Sequence, residues 1–181
     1  MDTATDIANY ALTIIGAGSV SDINSSERGA QLCNLHLRAA LDFTLAKGAF
    51  PQVIARELLV SFGSPLDDWV FSFALPVSMI EPIELTSGAS WAIEGGLFFT
   101  NDPAPVLRFI SRPDRFGPLP EILCEAIGCR LASLVSYELT GDVGKVQLAE
   151  SRFVVSLADA KAGAGRTKGN PAPKARLWGA R

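Results

Sequence analysis

The chain has 181 residues and weighs 19.2 kDa, enough for one domain with an appendage and enough to bury a core without a disulfide or metal staple. Only 19% of residues are charged and 48% are apolar, with a mean hydropathy of +0.25, so either a membrane span or extensive burial against other subunits is implied. The formal net charge of −3 hides two regions: residues 164–181 hold Arg166, Lys168, Lys174, Arg176 and Arg181 and no acid. Subtracting those five from the 16 Lys and Arg leaves 11 against 19 acids, so residues 1–163 carry −8.

Run length argues against the span. The best candidates, Ile7–Val20 and Ile122–Tyr137, are shorter than the about 20 apolar residues required, and the second carries Glu125 and Arg130. The first six residues have no base, which argues against a secretory signal. The expectation is a soluble, intracellular chain that buries much of itself in an assembly. Three cysteines (Cys33, Cys124, Cys129) make a poor disulfide framework and read as small buried thiols.

In chain order, Ile7, Ala8, Ala11, Leu12 and Ile15 sit at helical spacing, which predicts a helix over about 5–15, stopped by Gly16-Ala-Gly18. Ser25 or Ser26 is expected to cap a second helix over about 25–47, with Ala30, Cys33, Leu37, Leu41, Thr44 and Leu45 on one side. The period then changes. Trp69, Phe71, Phe73 and Leu75 alternate with smaller residues as a strand with one aromatic face, closed by Pro76. Met79–Leu85, Trp91–Glu94, Leu97–Thr100 and Val106–Arg112 read as further strands, and Val53–Val60 as an earlier one. Gly95-Gly96 suits a hairpin turn, because glycine takes φ > 0 without steric cost.

Helices return over about 120–140 and 142–162. Pro120 and Glu121 favour a first turn, and the run Ile122–Leu139 is apolar nearly all round and so central. Asp142 is placed to cap the last helix, whose Val143, Val146, Ala149, Phe153, Leu157 and Ala160 face inward. The predicted fold is mainly α with an inserted small antiparallel sheet (α+β): a four-helix body over 1–163, a strand-rich insert at about 53–112, and a basic, flexible tail over 164–181, rich in Gly and Pro.

Chemical motifs are sparse. Thr13-Ile-Ile-Gly16-Ala-Gly18 imitates the start of a dinucleotide fingerprint, but a helix precedes it, Ser21 stands at the third glycine, and the required second strand falls inside a helix. His36 is the only histidine, and with Cys33 it supplies two ligands at most, short of a structural zinc site. Asp67 with Asp68 and Glu121 with Glu125 are available carboxylate pairs, but sequence shows neither a cleft nor separated pKa values. The acidic body lacks the Lys and Arg stripes that clamp phosphates. The tail sets Leu177 and Trp178 between Arg176 and Arg181, a combination suited to docking on another subunit or folding back on its own body.

The order of these elements resembles the head-to-tail adaptor of short-tailed phages, the tail tubular protein A family. The resemblance runs from about Ile7 to Arg181 and is carried by Asn9-Tyr-Ala-Leu-Thr-Ile-Ile-Gly16, then Ala30-Gln-Leu-Cys33 with Leu41 and Leu45. Asp68-Trp-Val-Phe71-Ser-Phe73-Ala-Leu-Pro76 is its most recognisable piece, followed by Trp91-Ala-Ile-Glu94-Gly, Phe99-Thr-Asn101 and Leu107-Arg-Phe109. Ala158-Asp-Ala160-Lys161 and the closing Trp178 and Arg181 complete it. The resemblance implies no catalysis and no cofactor or metal. It implies wedge-shaped subunits, twelve to a ring, between the portal and the tail nozzle of a virion, assembled in the host cytoplasm, with genomic DNA passing through the lumen without sequence-specific binding. The sheet insert would face the nozzle, and Lys174, Arg176, Leu177, Trp178 and Arg181 would bind the portal or a neighbouring subunit. Another neck or tail-completion ring protein is the nearest alternative, and a carboxylate-dependent cell-wall hydrolase a more distant one.

Overall fold

A computed structural model describes residues 1–65 and 68–166. Four helices and six strands follow the predicted order: α1 (Ala4–Ile15), α2 (Arg28–Ala46), β1 (Ile54–Leu58), β2 (Phe71–Ala74), β3 (Met79–Leu85), β4 (Trp91–Glu94), β5 (Leu97–Thr100), β6 (Val106–Ser111), α3 (Glu121–Thr140) and α4 (Val143–Arg166). The fold is α+β.

Each helix end has a local cause. Thr3 caps α1: its Oγ1 accepts the Asp6 N–H at 3.1 Å, and Asp6 Oδ2 accepts the Thr3 and Asp2 N–H groups at 3.0 Å each. Gly16, at φ 64°, turns the chain out, so the glycine string ends a helix and does not follow a strand. Asp142 caps α4 as expected, its Oδ1 accepting the Gly144 N–H at 2.7 Å. α2 departs from expectation. Ser25 and Ser26 do not cap it; the Ser25 N–H closes a turn on the Asp22 carbonyl, the Ser25 hydroxyl donates to Glu27, and α2 opens at Glu27 without a side-chain cap. α4 also runs to Arg166, past the expected end, because Ala160 and Ala164 pack on the main core and outweigh the low propensity of Gly163 and Gly165.

α3 is the axis of the helical body. Eleven of its 20 residues are buried, from Leu123 to Ser136, and α1, α2 and α4 all pack on it. Met1 and Tyr10 of the α1 segment meet Glu121 and Gly128, so α1 runs in the same sense as α3. Arg28 reaches the Glu138 carbonyl while Phe43 lies by Arg130, so α2 runs against it.

The strands form two antiparallel three-stranded sheets, where one was expected: β1-β6-β3 and β2-β5-β4. Their facing sides enclose a second core of Leu107, Phe109 and Leu85 from the first sheet with Phe73 and Phe98 from the second, and Trp91 stacks on Phe98 at 5.4 Å. Leu59 to Phe62 joins the sheets: the Leu59 N–H donates to the Pro105 carbonyl beside β6, and the Phe62 N–H donates to Ser72 on β2. The other side of the first sheet sends Ile110, Ile80 and Ile83 into the helical core. Arg112, just after β6, makes a two-pronged ion pair with Asp42 of α2, both hydrogen bonds 2.7 Å. The hairpin Glu94–Leu97 turns as predicted, with Gly95 at φ 57° and Gly96 at φ 80°.

Two outcomes follow. A Cβ at Gly128 would stand 2.6 Å from Tyr10 Cδ1 and 3.6 Å from the Ile7 carbonyl oxygen. Gly128→Ala should therefore wedge α1 from α3 and cost about 1–3 kcal/mol, read as a lowered urea midpoint. Hydrogen bonds with Thr3, its side chain first and then its N–H, and with the Asp2 N–H hold the Asp6 carboxyl below its ordinary range. The folded value lies below the unfolded one, so this contribution is full above the ordinary carboxylate range and is lost as pH falls through the folded value. Asp6→Asn should flatten that acid-side loss, seen in urea midpoints measured across the acid range.

Candidate functional site: surfaces of the helical body

The residues with a predicted docking role, Lys174, Arg176, Leu177, Trp178 and Arg181, lie outside the described residues, as does Asp67 of one carboxylate pair. The remaining candidates are placed, and they do not converge. Glu121 is exposed, and its Oε2 accepts from the Met1 ammonium at 2.7 Å. Glu125 is half-buried one turn later on α3, beside Tyr10. His36 is half-buried on α2, and among the described residues no three His, Cys, Asp or Glu side chains come together to hold a metal ion. No helix of the described residues is long and apolar enough to cross a membrane.

The three thiols are buried and unpaired with one another. Burial pushes Cys33 and Cys124 up to about 11 and raises Cys129 as well. The folded protein at neutral pH should therefore leave all three unmodified by an aromatic disulfide reagent, and three equivalents should react once denaturant is added. A thiol that reacts at once in the native protein would contradict this packing.

One groove on the helical body combines shape with polar groups. It lies where α1 and α4 flank α3, has a volume of about 270 Å³, and is lined by Tyr10, Cys129, Ser151, Arg152, Val155 and Ser156. Cys129 forms the floor, its Sγ 3.8 Å from Ser156 Oγ. Burial, the largest cause, raises the Tyr10 hydroxyl to about 12, so the phenol stays protonated at neutral pH. With both groups raised, the phenol and the thiol are protonated at neutral pH, and the groove offers an apolar wall edged by two serine hydroxyls and a guanidinium. Sequence reasoning read Cys129 as a small buried thiol and met Tyr10 only within the Asn9–Gly16 segment. The available signal was Gly128, a glycine in the interior of an apolar helix, which marks a close approach of another element.

Two apolar stripes also face outward. Leu148 and Val155, seven residues apart, share one side of α4. On the sheet unit, Leu58, at the end of β1, and Val60 and Phe62, in the segment that joins the sheets, are 59%, 70% and 60% exposed. At the far end of α4 a smaller cavity of about 140 Å³ lies between Phe50, Pro120, Leu123 and Ala160, with Lys47 and Lys161 at an adjoining opening.

No family model matches the chain, and no curated protein matches it.

Proposed function

We propose that the chain is a structural connector of a short-tailed phage virion, a subunit of a ring between portal and tail nozzle. The observation that carries the reading is the pair of separate exposed apolar stripes, one on α4 and one on the sheet unit. A closed head-to-tail ring needs two different, complementary surfaces on each subunit, and Leu58, Val60 and Phe62 leave apolar surface in water at the end of β1 and along the segment that follows it. The charge distribution supports the same reading. A body with −8 over residues 1–163 repels phosphate, which suits a conduit that DNA must traverse without sticking. The order of helices around an inserted strand unit is that of the adaptors the sequence resembles, and the basic, Trp-bearing C-terminal segment suits attachment to the portal.

The decisive experiment is imaging of complexes co-purified with the tagged chain from producing cells. A ring of this protein at a portal–tail junction is the expected result; a monomer with no virion partner overturns the reading. Within that assembly, Trp178→Ala should leave the urea midpoint of the isolated chain unchanged and abolish co-purification with the portal. Unfolding of the isolated Trp178→Ala chain would instead make the segment part of the core.

A further inference from the structure

We propose that the apolar cavity beside Phe50, with Lys47 and Lys161 at its opening, is a docking site for the free C-terminus of a partner protein that ends in an aliphatic residue such as leucine. The inference goes beyond the connector reading and is independent of it, because the site lies within one copy of the helical body.

Two spaces adjoin where α2 ends against α4. The inner one, about 140 Å³, is walled by Phe50, Pro120, Ile122, Leu123 and Ala160. An apolar cavity of this size holds a group as large as benzene, and so one aliphatic side chain. The outer one, about 350 Å³, is lined by Lys47, Gly48 and Lys161 and shares Phe50 and Ala164 with the inner one. Gly48 keeps the two lysines together. A Cβ there would stand 3.0 Å from Phe50 Cζ and 3.4 Å from Lys161 Cε, so the Lys161 stem crosses the chain next to Lys47.

Charge selects a carboxylate. Residues 1–163 hold only three lysines, Lys47, Lys145 and Lys161, and two of them border this opening. Among the described residues neither has a carboxylate within ion-pair distance. Arg130 adds a third cation to the same seam, its guanidinium 4.4 Å from the centre of the Phe43 ring that Lys47 approaches to 4.7 Å. Lys47 closes α2, where one cation answers the helix dipole, but α4 runs five residues beyond Lys161, which therefore lies outside its last turn. Two lysines in excess beside an apolar cavity complement an anion joined to an aliphatic group, the chemistry by which C-terminal carboxylates are captured. Gln52 also lines the inner space, and its side-chain amide has no hydrogen-bond partner among the described residues. Its oxygen can accept the N–H that the last residue of a peptide carries and a fatty acid lacks, which favours a chain terminus over a free aliphatic acid.

Titration of the isotope-labelled, full-length protein with the peptide acetyl-Ala-Ala-Leu, followed by amide NMR shifts, tests this. The free acid should bind with a Kd of about 1 mM or below, shift the amides of Gly48, Ala49 and Ala164, and weaken as salt is raised. The same peptide with an amidated C-terminus should bind about tenfold more weakly. Lys47→Gln and Lys161→Gln change exposed positions and should keep the fold, checked by far-ultraviolet circular dichroism. Each should weaken binding of the free acid about threefold. Equal binding of acid and amide, indifference to both variants, or no shift at these amides up to about 10 mM peptide overturns the proposal. Hexanoate bound as tightly as the peptide also overturns it, and gives the site to a small aliphatic acid. The outcome is separable from the connector reading: a chain that forms rings and ignores the peptide removes only this inference, and one that binds the peptide and has no virion partner removes only the other.

Discussion

The structure depends on one helix being covered along its middle by three others. From Leu123 to Ser136 α3 is dominated by buried apolar and small residues, so it is stable only when α1, α2 and α4 all pack on it. Small residues make this possible: Cys124, Gly128, Cys129 and Ala132 let neighbouring helices approach closely, and Gly128 has room for no side chain against Tyr10. The same packing explains the state of the thiols. They are small apolar fillers, and the protonation that burial forces on them is a by-product of that role.

Much of the local structure was legible because the period changes sharply. β3, β4 and β5 begin and end at the residues that alternation predicts, since turn residues bracket them, and α1 ends at the glycine that takes a left-handed conformation. Pairing was less legible. Alternation reveals a strand but not its partner, and nothing local shows that β6 lies between β1 and β3 while β5 lies between β2 and β4. Ser25 and Ser26 misled for a related reason. Both are good caps by type, but the Asp22 turn uses Ser25 and shifts the helix start to Glu27. The α1–α4 groove was hidden because its walls come from positions 10, 129 and 155, which only the packed bundle brings together.

The site chemistry follows from the distribution of polar groups. Two ion pairs hold segments of the helical body together on separate surfaces, Glu121 with the Met1 ammonium and Asp42 with Arg112. The bidentate Asp42–Arg112 pair fixes the exit of the sheet unit against α2, while Ile80, Ile83 and Ile110 supply the apolar part of the same joint. Large apolar side chains such as Leu58, Val60 and Phe62, in contrast, face outward on the sheet unit, and these are what the proposed ring would cover.

The small cavity beside Phe50 has a topological meaning. Phe50 and Gln52, where the chain leaves the helical body, line it together with Pro120 and Leu123, where the chain returns. The double sheet is therefore a self-closing excursion with adjacent ends. By folding around its own core it shortens the effective loop between α2 and α3, and loop-closure entropy depends on that effective length, not on the number of residues inserted. A longer β4–β5 hairpin, which lies in the sheet that contributes nothing to the helical core, should therefore leave the register of the helical body untouched.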